Sequence, residues 1–513
     1  MAYYNVHRIF SSRELHMQKT KYILSIDCGT QSSRAIVWDL DGNAIADGHA
    51  GFEILNPRLG WYEQDAEKWW PATCTAIQQT LKTVDRKKIF ALGVSHQRET
   101  FVPISSEGKP LRYALPHMDE RCSKQVEFVK KKVGSKKIQK LTGKYPSYVY
   151  SLYDILWIIE NEPHIAEKVY KYLEVQSFLM MHLIDRIITS YVSADPTSLI
   201  NAKKRTWDLD LMKSLGLKAD QFPELCPPCE AIGTLSRKAA KETGLPEGLP
   251  VISGAGDGIC AALGTNTTDI RRIFFYIGTW TVLGGYSPRF VADMAFRTLL
   301  HCIPNSYSCE ANVSGGFIIS WFLENYKNTE RYWEQLASKV APGSDGLITV
   351  PYWLGTLAPY WDPSSRGLTV GWSGIHTNAH FYRSILEGVA FEHRLLTEKM
   401  SEVLNTKYEK LVFVGGGAKS PLWGQIVADV FNLPIYVSET VESSALGAAI
   451  IAAYGIGLYP SIQEAAERMT HITKQYEPDS SQVRTYDRLF NKVYKNLYPQ
   501  VMKSLEALEK PTS

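Results

Sequence analysis

The stretch YILSIDCGTQSSRAIVWDLDGNAIADG, residues 22–48, predicts how this chain begins to fold. Apolar runs occupy 22–27, 34–40 and 43–46, and the Asp-Gly pair at 41–42 is typical of a tight hairpin turn. The stretch therefore predicts a three-stranded β-meander whose first turn is CGTQSS.

That first turn has a composition suited to phosphate and metal. Asp27 ends the first apolar run, and glycine and hydroxyl residues follow it up to Arg34. Successive backbone amides in a glycine turn form a concavity that binds anions, and an acid at its root can hold Mg²⁺ directly or through water. A plain tight turn explains the same residues, so both interpretations remain open at this point.

The pattern returns at 273–286, IFFYIGTWTVLGGY, where an apolar run meets Gly278 and Thr279 and then resumes as a strand. This recurrence suggests two domains that each open on a hairpin with a Gly-Thr tip. Strand-like and helix-like segments alternate along the chain, with one helix predicted over 122–140, and this alternation favours α/β domains. We expect the domain boundary near 265–272.

A third candidate loop lies in VFVGGGAKSPLW, 412–423, where a strand meets three glycines and a helix with Ser420 as N-cap. Bare glycine backbone lets a ligand approach, and a helix N-terminus favours anions. The spacing is not GxGxxG, and GxxxxGK[ST] is absent from the sequence, which disfavours Rossmann and P-loop folds. Further on, ALGAAIIAAYGIGLY at 445–459 suits a tightly packed helix.

Two further segments carry candidate catalytic chemistry. In VISGAGDGICAALG, 251–264, Asp257 is the only charged residue, placed either to cap a helix or to accept a proton from a substrate hydroxyl. Gln97, Arg98 and Glu99 follow another strand, and this donor-acceptor set suits neighbouring hydroxyls of a polyol. A surface ion pair is the alternative for Arg98 and Glu99.

The composition excludes several classes of partner. Lys+Arg 56 against Asp+Glu 53 gives a net charge of +3 over 513 residues, so we expect no nucleic acid. No apolar run is long enough to span a membrane, and the eight scattered cysteines suit the reducing cytoplasm. Residues 1–16 precede a second methionine and are interpreted as an extension outside the fold.

In order and spacing, these motifs resemble the FGGY family of carbohydrate kinases over about residues 21–475. The two phosphate loops of the family resemble IDCGTQSSRAIVWD and IGTWTVL. The segment that carries the family's catalytic aspartate resembles GAGDG. SGGFIISWFL at 314–323 resembles a nucleotide-side helix and VGGGAKSPLWGQIVADVFNLPI the adenosine motif. The resemblance implies an α/β fold of two actin-like (ribonuclease H-like) ATPase domains around a central cleft.

The resemblance also divides the chain and assigns roles. It implies an extension over 1–20, a sugar-binding domain with the catalytic aspartate over 21–268, a nucleotide-binding domain over 269–475 and a helical tail over 476–513. Asp257 would be the general base and Asp27 the partner of Mg²⁺. The residues implied to bind ATP are Thr30, Ser32, Arg34, Gly278, Thr279, Gly316, Gly416 and Gly417. The residues implied to face the acceptor are Gln97, Arg98, Glu99, Tyr148 and Asp257.

The resemblance points to two kinds of acceptor. HQRET and APYWDP resemble the glycerol kinases, whereas HMDERC at 117–122 and GGGAKSPLW resemble the xylulokinases. Val149 stands where a glycerol kinase has a substrate-contacting tyrosine, and Gly258, where it has glutamine, is expected to leave room for a longer acceptor. We therefore favour a pentulose, with glycerol as the alternative. An actin-like ATP-driven clamp is the alternative from another class, and the oligomeric state stays open, a homodimer included.

Overall fold

The computed structural model describes residues 21–278, 280–313, 315–362 and 365–508. The predicted extension 1–20 and Thr279 lie outside these residues. Within them the chain builds two seven-stranded sheets, the first from the N-terminal half and the second from the C-terminal half. Helices alternate with the strands along the chain, so the predicted α/β class is confirmed.

The first sheet begins with the predicted meander. Its strands are β1 (Tyr22–Cys28), β2 (Ser32–Trp38), β3 (Ala44–Gly51), β4 (Ile89–His96), β5 (Ala231–Thr234), β6 (Pro250–Ile252) and β7 (Ala255–Gly256). Their order is β5-β6-β4-β1-β2-β3, and β7 also pairs with β4. β1 runs antiparallel to β2 and parallel to β4. Ile23, Leu24 and Ile26 of β1 are fully buried, as expected for a central strand covered on both faces.

The second sheet repeats this arrangement. Its strands are β8 (Arg272–Ile277), β9 (Thr281–Ser287), β10 (Arg297–Leu300), β11 (Tyr307–Val313), β12 (Lys410–Gly415), β13 (Ile435–Ser438) and β14 (Ile472–Tyr476). Their order is β10-β11-β9-β8-β12-β13-β14. β8 runs antiparallel to β9 and parallel to β12, as β1 does to β2 and β4. The recurrence predicted from the two Gly-Thr hairpins is therefore present in the fold.

The remaining elements connect and cover the two sheets. The helices of the first half are Trp69–Thr80, Ser123–Lys132, Ser135–Thr142, Ser151–Asn161, Pro163–Ala166, Val175–Ile184, Tyr191–Ala194, Leu209–Ser214, Arg237–Thr243 and Asp257–Gly264. Those of the second half are Gly315–Tyr326, Glu330–Ala337, Asn378–Leu404, Pro421–Phe431, Ser443–Gly455, Ile462–Met469, Ser480–Leu489 and Lys495–Glu506. Short two-stranded pairs join Ile54–Arg58 to Trp61–Gln64, Phe101–Ile104 to Lys171–Glu174, Ile188–Ser190 to Glu224–Cys226, Ile200–Asn201 to Thr206–Trp207, and Ile348–Val350 to Leu368–Val370.

The helix Ser443–Gly455 connects the two halves by packing against the first sheet. A Cβ atom at Gly447 would lie 1.9 Å from the carbonyl oxygen of Cys260, and one at Gly93 would lie 2.2 Å from that of Ala448. Only glycine permits this backbone approach. The tightly packed helix predicted from 445–459 is confirmed.

The prediction of a single helix over 122–140 is wrong. The chain forms Ser123–Lys132 and Ser135–Thr142 instead, and Gly134 between them adopts a φ of +94°. Glycine adopts a positive φ without a steric penalty, so the backbone turns at Gly134. The residues on either side keep a helical pattern, which is why the sequence predicted one helix.

Glu392 is a fully buried acid on the long helix Asn378–Leu404. Its Oε2 accepts a 2.7 Å hydrogen bond from the Tyr494 hydroxyl. Burial raises the pKa of this carboxyl from 4.5 to about 7, against the hydrogen bond from Tyr494. The folded protein therefore binds a proton that the unfolded chain releases, and the free energy of unfolding falls as the pH rises from about 4.5 to about 7.

We expect Glu392→Gln, which can still accept the bond from Tyr494, to stabilise the protein more near pH 8.5 than near pH 5.5, by about 2 kcal/mol. Thermal unfolding at the two pH values measures the difference. Glu402→Gln, on the exposed side of the same helix, controls for the loss of one charge. An equal effect of Glu392→Gln at both pH values would contradict this prediction.

The described residues contain no helix with the length and hydropathy needed to cross a bilayer. All eight cysteines lie within these residues, and each is buried with a free thiol.

Candidate active site

Three strand ends of the first sheet meet at one edge. Cys28 at the end of β1 lies opposite His96 of β4, and β7 places Gly256 opposite the same histidine. The backbone N–H of Gln97 donates a 2.8 Å hydrogen bond to the backbone carbonyl of Cys28. Since α/β sheets bind their ligands outside the carboxyl ends of parallel strands, this edge is the natural place for a site.

Asp27 lies at this edge, one residue before the end of β1. The Ser95 hydroxyl donates a 2.7 Å hydrogen bond to Asp27 Oδ1. Burial raises the pKa of Asp27 to about 6 despite that bond, and the nearby carboxylates of Asp257 and Glu442 add to the rise. A buried carboxylate with two other carboxylates nearby is suited to bind a cation.

The donor set around Asp27 fits Mg²⁺ shared with a phosphate. Throughout the described ranges no group of three or more histidine, cysteine, aspartate or glutamate side chains could enclose a metal ion. Mg²⁺ does not require such a cage, because it binds through one or two carboxylates and fills its shell with phosphate oxygens and water.

Asp257 begins the helix Asp257–Gly264, directly after β7. Its Oδ1 accepts 2.7 Å hydrogen bonds from Arg98 Nε and from the Gly258 amide. Its Oδ2 accepts no bond from the residues that the structure describes, and the side chain is 44% exposed. Burial alone would raise the pKa of Asp257, but the Arg98 guanidinium holds it below its ordinary value, so the carboxylate is charged at neutral pH.

Arg98 packs on the backbone on both sides of Asp257. A Cβ atom at Gly256 would lie 2.3 Å from Arg98 Cγ, and one at Gly258 would lie 2.6 Å from Arg98 Nη2. A larger residue at either position would therefore displace the Arg98 side chain. The expectation that Gly258 leaves room for a longer acceptor is wrong, because the space above this glycine is filled by Arg98.

The glycine segments of the second sheet also share one edge. In the parallel ladder of β8 and β12, Ile277 lies opposite Gly415, which brings the tip at Gly278 beside the glycine turn at 415–417. A Cβ atom at Gly417 would lie 2.4 Å from Ile277 Cγ2, so this turn packs directly on the end of β8.

A helix start joins the same edge. Gly315 opens the helix Gly315–Tyr326, and a Cβ atom there would lie 2.7 Å from Thr281 Cγ2 at the start of β9. Thr281 lies opposite Ile277 in the ladder of β8 and β9, and Ile277 lies opposite Gly415. The helix start with Gly315 and Gly316 is therefore at the same end of the sheet as the other glycine segments. Thr279, which was predicted to bind the nucleotide, lies outside the described residues.

A cavity of about 480 Å³ lies between these two edges. Seven of the predicted site residues line it: Asp27, Thr30, Ser32, Arg34, Arg98, Asp257 and Gly278. Six other predicted residues are not among its lining residues: Gln97, Glu99, Tyr148, Gly316, Gly416 and Gly417. The cavity thus brings the two predicted phosphate loops together with Arg98 and Asp257.

The three predicted acceptor residues that do not line the cavity are buried, and two of them, Gln97 and Glu99, have other hydrogen-bond partners. Gln97 Nε2 donates a 2.8 Å hydrogen bond to Gln64 Oε1. Glu99 is 7% exposed and accepts a 2.8 Å bond from Arg297 Nη1. Tyr148 is 9% exposed, and burial raises the pKa of its hydroxyl. Of the five residues expected to face the acceptor, only Arg98 and Asp257 line the cavity.

The cavity is also lined by residues to which the sequence assigned no role in the site. His117 and Met118 line it next to Arg98, and burial lowers the pKa of His117 to about 4, so its imidazole is neutral at pH 7. Glu442 forms an ion pair with Arg34. The motif HMDERC drew attention to 117–122, but no local pattern links Glu442 to a site that begins some 400 residues earlier.

Comparison with protein-family models finds two matches on this chain. The model of the FGGY family of carbohydrate kinases, N-terminal domain, matches residues 22–264. The model of the C-terminal domain of the same family matches residues 274–456. Together they include every residue that lines the cavity and both sheets, except the first two residues of β8 and the last strand.

Curated relatives match over nearly the whole chain. A xylulose kinase of Bacillus subtilis is 28% identical, with 93% of this chain and 97% of the relative covered. A gluconokinase of the same organism is 26% identical, with 94% and 98% covered. A glycerol kinase of Saccharolobus islandicus is 29% identical, with 90% and 93% covered.

Solved structures have the same fold. A ligand-bound xylulose kinase from Lactobacillus acidophilus superposes with a TM-score of 0.89 at 24% identity, covering 94% of this chain and 99% of that one. A Plasmodium falciparum glycerol kinase with ADP superposes with a TM-score of 0.83 at 23% identity, covering 93% of this chain and 98% of that one. The predicted fold of two actin-like (ribonuclease H-like) domains is confirmed.

Proposed function

Because this chain belongs to the FGGY family of carbohydrate kinases and is therefore a sugar phosphotransferase, we propose that it transfers the γ-phosphate of ATP to a hydroxyl of a pentulose. The full-length relatives named xylulose kinase support this class of acceptor. The glycerol kinase solved with ADP supports the nucleotide.

The observation that carries the proposal is the environment of Asp257. This charged carboxylate lines the cavity with Oδ2 open, while Oδ1 is held by Arg98 and Gly258. The phosphate-type turn at 29–32 and the tip at Gly278 line the same cavity. A base and two anion-binding backbone segments around one space are what transfer of a phosphoryl group to a hydroxyl requires.

In the proposed reaction Asp257 acts as general base. Its Oδ2 takes the proton of the acceptor hydroxyl while the hydroxyl oxygen forms a bond to the γ-phosphorus. The bond from that phosphorus to the bridging oxygen breaks, and ADP leaves with the electron pair. The proton on Asp257 then passes to water, which restores the carboxylate.

We assign the nucleotide side to both halves of the chain. The residues proposed to contact ATP are Thr30, Ser32, Arg34, Gly278, Thr279, Gly316, Gly416 and Gly417. Asp27 would hold Mg²⁺, which supplies positive charge to the phosphates when bound. In the proposed domain division, 21–268 binds the sugar and carries Asp257, and 269–475 carries the adenosine side.

The acceptor side is built from Arg98, His117 and Asp257. Arg98 offers only donors, and the neutral imidazole of His117 offers one donor and one acceptor. Such a set can bind several neighbouring hydroxyl and carbonyl oxygens, which a ketose presents. Gln97, Glu99 and Tyr148 would act from behind this layer, because none of them lines the cavity.

A coupled ADP-release screen tests the acceptor. We expect xylulose or another pentulose to give the highest kcat/KM, with gluconate and glycerol lower by at least about tenfold. Glycerol lacks hydroxyls that the site would bind and so leaves buried donors unpaired, whereas gluconate brings another carboxylate into a cavity that already holds the charged Asp257. A hexulose and a no-acceptor reaction serve as controls. Highest kcat/KM on glycerol would contradict the pentulose assignment, and ADP release that no acceptor increases would contradict sugar phosphorylation itself.

A further inference from the structure

A chain of buried charges runs from Asp257 into the second half of the protein. Arg98 donates from Nε to Asp257 Oδ1 at 2.7 Å and from Nη1 to Glu310 Oε2 at 2.6 Å. Arg297 donates to the same Glu310 oxygen at 3.2 Å and to Glu99 Oε1 at 2.8 Å. Apart from Asp257, every member is at most 7% exposed. Three carboxylates thus alternate with two guanidinium groups.

The part of the charge chain that lies in the second half of the protein is held in place by strand pairing. Arg297 on β10 and Glu310 on β11 lie directly opposite each other in the antiparallel ladder. Glu310 is fully buried; burial alone would raise its pKa, but Arg98 and Arg297 hold it below its ordinary value. Because β11 is paired on both sides, with β10 and with β9, the buried Glu310 carboxylate is held in place and provides a rigid anchor for Arg98.

We propose that Glu310 and Arg297 are positioning residues of the acceptor site. They hold the guanidinium of Arg98 between the carboxylates of Asp257 and Glu310. Arg98 then donates to Oδ1 of Asp257 alone, and Oδ2 stays open to the acceptor hydroxyl. Neither residue lines the cavity, and both act through Arg98. This inference rests on the proposed role of Asp257 as the base.

The expected effect of losing Glu310 follows from charge balance. With both carboxylates present, the positive charge of Arg98 is shared between Asp257 and Glu310. Without the Glu310 charge, Asp257 becomes the sole carboxylate partner of Arg98. The guanidinium can then shift and offer N–H groups to both oxygens of Asp257, which competes with the acceptor and weakens the base.

Glu310→Gln tests the proposal, with Glu387→Gln as the matched control. Glu387 is 1% exposed and paired at 2.8 Å with the buried Arg383, but it does not line the cavity or contact the charge chain. We expect Glu310→Gln to lower the acceptor kcat/KM about 10²-fold, as small misplacements of catalytic groups do, with the KM for ATP unchanged. Glu387→Gln should lower the melting temperature while leaving the acceptor kcat/KM within about twofold, since it lies apart from the site.

Equal acceptor kcat/KM in the two variants would overturn the proposal, because a purely structural role predicts that result. If Glu310→Gln does not fold, Arg297→Lys replaces it. This change keeps the charge but loses the planar fork that joins Glu99 to Glu310, and an acceptor kcat/KM lowered about tenfold at unchanged ATP KM is expected. An unchanged value would likewise overturn the proposal. If the wild-type protein phosphorylates no acceptor, the proposed function fails, and the inference that rests on it fails too.

Discussion

Asp257→Asn is expected to lower kcat for phosphoryl transfer by about 10²–10⁴-fold, the usual contribution of a general base. The amide cannot take the acceptor proton, yet its oxygen can still accept the Gly258 amide that Asp257 Oδ1 binds at 2.7 Å. Fold and ATP binding should therefore persist. Initial rates at saturating ATP and acceptor, with nucleotide affinity from calorimetry, measure both quantities.

Asp208→Asn is the matched control for this experiment. Asp208 also stands at a helix start, where its carboxylate accepts the Leu211 amide, and it does not line the cavity. It should leave kcat within about twofold, because asparagine caps a helix nearly as well as aspartate. Near-normal turnover by Asp257→Asn would remove the proposed mechanism.

Arg98→Ala is expected to have the second largest effect. Arg98 is 6% exposed and bridges Asp257 to the fully buried Glu310. Loss of a charged donor from the acceptor site should raise the acceptor KM by about 10²-fold, the equivalent of about 3 kcal/mol, with the KM for ATP retained. Removing one partner of a buried ion pair should also lower the free energy of unfolding by about 3 kcal/mol.

Arg383→Ala separates these two effects. Arg383 is also 6% exposed and pairs with the buried Glu387, so its loss should cause a similar drop in stability. The acceptor KM should not change, since Arg383 lies outside the cavity. An acceptor KM that is the same in Arg98→Ala and in wild type would exclude a role for Arg98 in holding the sugar.

The sequence predicted the parts of the fold that local patterns encode. The run 22–27 forms the buried strand β1, and the glycine-rich segments at 278 and 415–417 mark strand ends that the structure brings together. The helix starting at Pro421 has Ser420 as its N-cap, with the hydroxyl accepting the Trp423 amide. In each case the signal lies within a few consecutive residues, where apolar period and capping chemistry decide the structure.

The sequence could not predict contacts between distant strands. Glu99 looked like a partner for a polyol, but Arg297 binds it, and that pairing depends on how β10 meets the first half. Arg34 looked like a phosphate ligand, and it also forms an ion pair with Glu442. Charged pairs of this kind depend on tertiary packing, so a single sequence carries no local signal for them.

Transfer of label from γ-³²P-ATP to the acceptor tests the central claim most directly. Wild-type protein and Asp257→Asn are incubated with labelled ATP, Mg²⁺ and xylulose, and sugar phosphate is separated from inorganic phosphate and counted. We predict that the wild type produces labelled sugar phosphate and that Asp257→Asn produces about 10²–10⁴-fold less per unit time. Label found only in inorganic phosphate, or equal label in the sugar with both proteins, would contradict the account.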